Sequence, residues 1–215
     1  DITIAGVGGN GVSANIGFRL ANAGITANGD ANITISGTKG AGAGSSDLYI
    51  ATPTSLVGGA SATGAITFIA DTIGSFTDVS VRTQGNIIFK PRTASTTIGI
   101  SGGTCGSTCT LQLTDPVLAT LTPDVDGNGI GSLIIGDSAA GTGTVDINGW
   151  DISGATYDVE VYGGTVDLGN TVWNGDNNLL FYSRTGNLVI DSDLTRNAGT
   201  AGDGTLTLKA TGNIT

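Results

Sequence analysis

Three oxygen-bearing side chains alternate in the stretch DVDGNG, at residues 124–129. Asp124, Asp126 and Asn128 stand at the first, third and fifth positions of a calcium loop, and a glycine follows at the sixth. The twelfth position, which should supply a bidentate glutamate, is Ile135. The preferred interpretation is therefore an oxygen-rich corner of the chain without a cofactor. Calcium binding by these three side chains is the alternative.

Two cysteines, Cys105 and Cys109, lie in the glycine-rich stretch GGTCGSTC. A loop with this much glycine can bend enough to join sulfur atoms four residues apart, so we predict a local disulfide; free thiols are the alternative. The pair does not by itself predict a zinc site, because the chain has no second cysteine pair and no histidine. A disulfide implies export from the reducing cytosol.

Carboxylates recur at intervals that could bring them together for acid–base chemistry. Asp146 and Asp167 lie one sequence repeat apart, and Asp151, Asp158 and Asp191 could follow on neighbouring turns. Glycoside hydrolysis uses two carboxylates. The basic residues are nevertheless scattered, and no histidine is present to serve as a base for a serine nucleophile. We therefore predict solvated or turn-forming aspartates and no enzyme activity.

Aromatic side chains concentrate between residues 150 and 182. Stacked on one face, they could form a contact surface for a sugar or a protein. The alternative is that they fill corners and wider parts of a core. The residues that could form this surface are Trp150, Tyr157, Tyr162, Trp173 and Tyr182.

The composition favours short strands and tight turns. Glycine accounts for 37 of 215 residues, while 39% are hydrophobic, mostly β-branched or aliphatic. A net charge of −10 argues against nucleic acid as a partner. No apolar run approaches the length of a membrane span, so we do not expect a membrane-spanning chain.

The chain contains an internal repeat, in which similar short segments recur at a regular interval. GTVDINGW at 143–150 recurs as GTVDLGNTVW at 164–173, which places Val145 and Val166 at equivalent positions of successive repeats. Apolar and polar residues alternate within each unit, as in half-buried strands. This pattern predicts an all-β fold, a parallel β-solenoid (β-helix) with about 20–21 residues per coil. A β-sandwich is the alternative, although it would favour larger apolar residues and longer strands.

We expect residues 1–215 to form a single β-solenoid module. Its N-terminal half, 1–110, has the looser repeats, and its C-terminal half, 111–215, has the more regular ones. The final stretch LTLKATGNIT ends in the pattern of a strand, which leads us to expect a part of a longer protein, with a mature processed form as the alternative.

The central block resembles a known family. LQLTDPVLATLTPDVDGNGIGSLIIGDSAAGTGTVDINGWDIS, at 111–153, resembles a segment common in filamentous haemagglutinin-like exoproteins of two-partner secretion systems. NGDNNLLFYS (174–183) and GTLTLKATGNIT (204–215) are similar to that family's successive coils, and GDANITISGT and TGAITFIADTI carry a looser likeness over 1–110. The family's Asn-Pro-Asn secretion motifs do not occur, so the resemblance is to the shaft.

This resemblance implies a large β-helical protein that is secreted, lies outside the cell or on its surface, and is often adhesive. It also implies an outer-membrane secretion partner. We therefore expect a non-catalytic structural or adhesive module that forms a rigid extracellular shaft or filament, with self-association and a glycan or cell-surface ligand as expected interactions. The alternative is a carbohydrate-binding or polysaccharide-degrading β-helix on the same scaffold.

Overall fold

The alternating sequence pattern forms short strands. A computed structural model describes residues 1–127, 131–174, 176–197 and 204–215. The strands are β1 (Ile2–Val7), β2 (Phe18–Leu20), β3 (Gly24–Ile25), β4 (Ile33–Thr38), β5 (Leu48–Gly58), β6 (Ile66–Ile69), β7 (Ile73–Arg82), β8 (Ile87–Lys90), β9 (Ile98–Ser101), β10 (Leu111–Leu113), β11 (Leu121–Thr122), β12 (Ser132–Gly136), β13 (Thr144–Asn148), β14 (Asp151–Ile152), β15 (Asp158–Gly163), β16 (Thr165–Leu168), β17 (Thr171–Asn174), β18 (Leu179–Ser183), β19 (Leu188–Ile190), β20 (Leu194–Asn197) and β21 (Leu206–Ala210). A single turn of helix, α1 (Asp115–Leu118), precedes β11.

The chain divides into two compact units. Unit 1 comprises residues 1–92 and 116–131, and unit 2 comprises residues 93–115 and 132–215. In unit 1, β1, β4, β6 and β8 pair side by side, while β2, β5, β7 and β11 form a second set with β3 added to β5. The prediction of one module over 1–215 stays a prediction.

The pairing in unit 1 is parallel and places equivalent residues of successive repeats side by side. Ile33 is the register partner of Ile66, and Ile66 is the partner of Ile87 in the next repeat. All three side chains are at most 1% exposed. One strand could not bury these residues alone, because a lone strand leaves both of its edges and both of its faces open.

Three phenylalanine rings fill the centre of unit 1. Phe68 of β6 stacks on Phe89 of β8 with ring centroids 5.0 Å apart. Phe76 of β7 meets the same two rings edge-on, at 5.3 Å and 5.7 Å. Each ring is 1% exposed. This cluster joins the two sets of strands within the unit.

A buried carboxylate holds one corner of unit 1. Asp47, immediately before β5, is 0% exposed and accepts N–H groups from Lys39 at 2.7 Å, Asp71 at 2.7 Å and Thr72 at 3.0 Å. Arg92 lies 3.4 Å from the Asp47 carboxylate and 3.1 Å from that of Asp71. The corner therefore connects segments that are well separated along the chain.

Unit 2 contains three sets of parallel strands. One consists of β12, β15, β18 and β21, a second of β10, β9, β13, β16 and β19, and a third of β14, β17 and β20. Val145 pairs with Val166, which in turn pairs with Leu188, and all three are 0% exposed. The recurring sequence segments thus lie on adjacent strands.

The prediction of an all-β protein is confirmed. Within each unit the described strand pairs are parallel, which is not the antiparallel pairing of the alternative, a β-sandwich. Repeat length varies more than expected, since the step from Ile2 to its partner Ile33 is much longer than the step from Val159 to its partner Leu179. Longer loops absorb the difference. Among the described residues, no helix has the length and apolar character to cross a membrane.

Candidate functional site

The DVDGNG stretch forms a corner after β11. Asp124 is 1% exposed and has a left-handed backbone, with φ of 51°. Its carbonyl accepts the Gly127 N–H at 2.8 Å, which closes a turn, and Val125 N–H donates to the Thr83 carbonyl at 3.0 Å. Asp126 is exposed, and Asn128 lies outside the described residues. Calcium binding by this stretch stays the alternative interpretation.

The predicted disulfide is confirmed. Cys105 and Cys109 are joined, with an S–S distance of 2.01 Å and Cα atoms 5.2 Å apart. The loop that carries them folds back over the outward face of β9, above Gly99. A Cβ atom at Gly99 would lie 2.5 Å from the Gly103 carbonyl oxygen and 2.8 Å from the Cys109 sulfur. The missing side chain therefore makes room for the loop.

An aspartate on the next strand holds this loop in place. One carboxylate oxygen of Asp146, on β13, accepts the N–H of Thr104 at 2.8 Å and also the N–H of Cys105. Gln112, on β10, donates from its side-chain amide to the Gly103 carbonyl at 3.2 Å. The loop is thus fixed by backbone and side-chain hydrogen bonds as well as by the disulfide. We call Cys105, Cys109 and Asp146 the disulfide–aspartate cluster.

The stack of aspartates that the sequence repeat would allow is present in part. Asp146 and Asp167 are direct register partners on β13 and β16, and the charge of Asp191 also acts on Asp167. Burial, followed by the charges of Asp191 and Asp146, raises the pKa of Asp167 above its ordinary value. Asp151 and Asp158 lie apart from this stack, on β14 and β15, since they pair with Val172 and Ser132.

Replacing Asp167 tests the electrostatics of this stack. Because the pKa of Asp167 is higher in the folded state than in the unfolded state, ionised Asp167 opposes folding. The protonated form stabilises the fold at pH values below the ordinary pKa. This stabilisation is lost as the pH rises through the folded-state pKa. We expect Asp167→Asn to raise the free energy of unfolding at pH 7 by about 0.5 kcal/mol, the scale of partly exposed charge pairs. The gain should vanish below about pH 4, near the ordinary pKa of Asp. Urea denaturation across pH measures it.

Asp151→Asn is the matched control with the opposite sign. Hydrogen bonds from the Ser153 hydroxyl and backbone N–H lower the pKa of Asp151. Its ionised form therefore adds stability above the ordinary pKa, and this is lost as pH falls through the lowered value. Asp151→Asn should reduce stability slightly at pH 7. Equal responses of the two variants to pH would contradict the assignment.

The aromatic residues divide between the interior and the surface. Trp150 and Trp173 are only 3% and 6% exposed, so these two members of the candidate contact surface are corrected to core residues, in agreement with the alternative interpretation. Trp173 pairs in register with Ile152 and fills the inner face of its strand set. Tyr157 is half-buried, and burial raises the pKa of its hydroxyl.

The other two tyrosines stand side by side on the outward face of β15 and β18. Tyr162 and Tyr182 are register partners whose rings meet edge-on at 6.2 Å. The Tyr162 hydroxyl donates to the Glu160 carboxylate at 2.5 Å, and Lys209 Nζ lies 4.5 Å from the centre of the Tyr182 ring. Burial, then the hydrogen bond and the charge of Glu160, raises the pKa of Tyr162 to about 12. We call these four side chains the tyrosine strip.

Sequence reasoning finds the tyrosines and the cysteines but misses their partners. The repeat pattern places Asp146 in a stack of aspartates and gives no sign of its bonds to the cysteine loop. Lys209 is the register partner of Tyr182, which becomes visible in the sequence only when LLFYS and LTLKA are aligned as strands. That alignment is the sequence signal that could have identified Lys209 as a neighbour of Tyr182.

No protein-family model, curated protein or solved structure matches this chain.

Proposed function

We propose that the chain is a non-catalytic β-solenoid module of a secreted structural or adhesive protein related to the filamentous haemagglutinin-like exoproteins. The observation that carries this proposal is the in-register stacking of equivalent residues within each unit, as in Ile33, Ile66 and Ile87. Continuous apolar ladders and parallel backbone hydrogen bonds suit a rigid shaft whose mechanical role needs no active site.

Two further observations support an extracellular place for this shaft. The Cys105–Cys109 disulfide fits an oxidising compartment, and the net charge of −10 is compatible with an extracellular location. Export through an outer-membrane partner is part of the proposal, and it rests on the family resemblance alone. Antibody labelling of intact source cells, with permeabilised cells as the control, tests the location; signal only after permeabilisation would overturn it.

Electron microscopy of the purified chain, together with limited proteolysis, tests the shaft. Stacked coils about 4.8 Å apart should give narrow elongated particles that resist protease. Compact particles that are digested readily would overturn the solenoid. Filaments formed by lateral or end-to-end contact would support self-association. Monodisperse rods would rule out self-association and would still support the proposal of a rigid shaft.

Self-association through a strand edge has a specific test. The N–H groups of Ile2 and Gly8 both donate towards β4, so the N–H of Thr3 points to the opposite edge of β1. Thr3→Pro removes that donor without removing a bond to β4. If copies pair through this edge, Thr3→Pro should abolish filaments in sedimentation, while Thr3→Ala should retain them.

Glycan binding is a second candidate, favoured by the tyrosine strip. Two neighbouring rings, with the Glu160 carboxylate bonded to the Tyr162 hydroxyl and the Lys209 ammonium group over one face of the Tyr182 ring, offer a sugar aromatic contact and hydrogen bonds. On a glycan array, a neutral polysaccharide bound by the wild type should lose at least about tenfold in affinity with Tyr182→Ala, the scale of one aromatic hot spot. The control is Tyr49→Ala, at a tyrosine beside Arg19 on another strand set. Equal loss in both variants, or no glycan bound, would reject this candidate.

A further inference from the structure

The cysteine loop of unit 2 is held by contacts that do not depend on its disulfide. Gly102 N–H donates to the Asn148 carbonyl at 2.7 Å, and Gly103 N–H donates to the Ile100 carbonyl at 3.0 Å. Two further N–H groups, of Thr104 and Cys105, donate to the Asp146 carboxylate. Because these bonds anchor the loop to β9 and β13, both cysteines should remain above Asp146 after the S–S bond is broken.

Three potential metal ligands meet in this place. The two sulfur atoms and a carboxylate oxygen of Asp146 all lie within 4.8 Å of one another. Thiolate and carboxylate ligands suit Zn²⁺, with bonds of about 2.3 Å to sulfur and about 2.1 Å to oxygen. Three protein ligands leave a fourth position for water, as in open zinc sites. The two sulfur atoms must move apart from their bonded distance to hold an ion. Gly106, which lies between the two cysteines along the chain and has a φ of 77°, gives the loop the backbone freedom for this movement.

The surroundings favour a cation at this point. Asp167 is the register partner of Asp146, so a second carboxylate lies on the adjacent strand. Asp191 follows β19, the next strand of the same set, so three aspartates lie on or directly after successive strands and favour a cation over an anion. Cys109 is 2% exposed, so its side of the site is shielded from water, while Cys105 is partly exposed and gives an ion access.

We propose that reduction of the disulfide–aspartate cluster converts it into a binding site for a borderline-soft divalent cation such as Zn²⁺, with the Cys105 and Cys109 thiolates and the Asp146 carboxylate as ligands. A dithiol reductant transfers two electrons and two protons to the S–S bond and becomes a cyclic disulfide itself. The two resulting thiols release their protons to solvent when the cation binds. The oxidised form has no thiolate to offer and does not bind the ion. The site is independent of the proposed function.

Co²⁺ is a suitable probe, because cobalt–thiolate bonds absorb in the near ultraviolet and cobalt reports its geometry in the visible range. The full chain is reduced with dithiothreitol, desalted without oxygen and titrated with Co²⁺, and Zn²⁺ is then added in competition. We expect one Co²⁺ per reduced chain, displacement by Zn²⁺, and no thiolate band in the oxidised chain. Absence of the band in the reduced chain would overturn the proposal.

The role of Asp146 is tested by substitution. Asp146→Asn keeps an oxygen that can accept the loop N–H groups and removes the charged ligand. We expect its affinity for Zn²⁺ to fall at least about tenfold, since even outer-shell changes have effects of that size. The control is Asp151→Asn, on a different strand set, which should bind as the wild type does.

A third variant separates ligation from folding. Cys105→Ser/Cys109→Ser should retain the circular dichroism of the wild type and lose the cobalt–thiolate band. If Asp146→Asn changes the circular dichroism, Asp146→Glu, which retains a carboxylate, should recover the affinity. Unchanged affinity in a folded Asp146→Asn variant, or failure of Asp146→Glu to recover it, would overturn the three-ligand site.

Discussion

Asp47→Asn should lower the free energy of unfolding by about 3 kcal/mol, a large loss for one oxygen-to-nitrogen exchange. The two carboxylate oxygens of Asp47 accept N–H groups from opposite sides, from Lys39 on one oxygen and from Asp71 and Thr72 on the other. A carboxamide has one acceptor oxygen, so one side would face an NH₂ group. The substitution also removes the buried partner of Arg92.

The loss at Asp47 is large because the site is closed to water. The Asp47 side chain is 0% exposed, and its hydrogen bond with the Asp71 N–H is buried, so water cannot replace the lost acceptor there. Arg92 is 35% exposed, so its charge can be solvated and contributes less than a fully buried pair would. Most of the effect should therefore come from the orphaned backbone groups.

Chemical denaturation followed by circular dichroism measures the effect at Asp47. The matched control is Asp78→Asn, at an exposed aspartate of unit 1 with φ of 55°, where asparagine is well tolerated. That variant should remain within about 0.5 kcal/mol of the wild type. A similarly small change in Asp47→Asn would mean that the corner does not hold unit 1 together.

Phe68→Ala should cost about 3 to 5 kcal/mol, the range for deleting a buried ring. Phe68 is central in the cluster of unit 1, stacked on Phe89 and edge-on to Phe76. Strands on both sides fix the backbone at this point, so the neighbouring rings cannot collapse fully into the space. The cavity left behind adds to the lost transfer free energy.

The urea midpoints of two further variants calibrate the result at Phe68. Phe68→Leu retains most of the volume and should cost about 1 kcal/mol. Val12→Ala, at a side chain 94% exposed, should have almost no effect. If Phe68→Ala unfolded at the same urea concentration as Val12→Ala, the ring cluster would not be a core.

The repeat pattern predicts the pairing of strands better than their spacing. Residues at equivalent positions of the repeat are register partners, as predicted. Examples are Ile66 with Ile87 and Val145 with Val166. Alternation decides which side chains face inward, because a shift of one residue would expose every apolar group on the strand. The same logic could not give loop lengths, since surface loops tolerate insertions at little cost in free energy.

The candidate sites show where this reasoning stops. The sequence leaves two interpretations open for the tryptophans, a contact surface shared with the tyrosines or a core, and in the folded chain Trp150 and Trp173 are buried. Residue type alone does not distinguish a buried aromatic side chain from one on a contact surface, because aromatic residues occur in both places. What separates the two is the register of its strand and the space left by the neighbouring turns.

The all-β class, the alternating faces, the in-register repeats and the closeness of Cys105 to Cys109 all follow from the order of residues. These are properties of residues near one another along the chain or related by its period. The position of Asp146 beneath the cysteine loop and the reach of Arg92 to Asp47 emerge only from the folded chain. Those contacts join segments 41 and 45 residues apart, and they depend on how irregular loops fold back over the strands, which no local periodicity encodes.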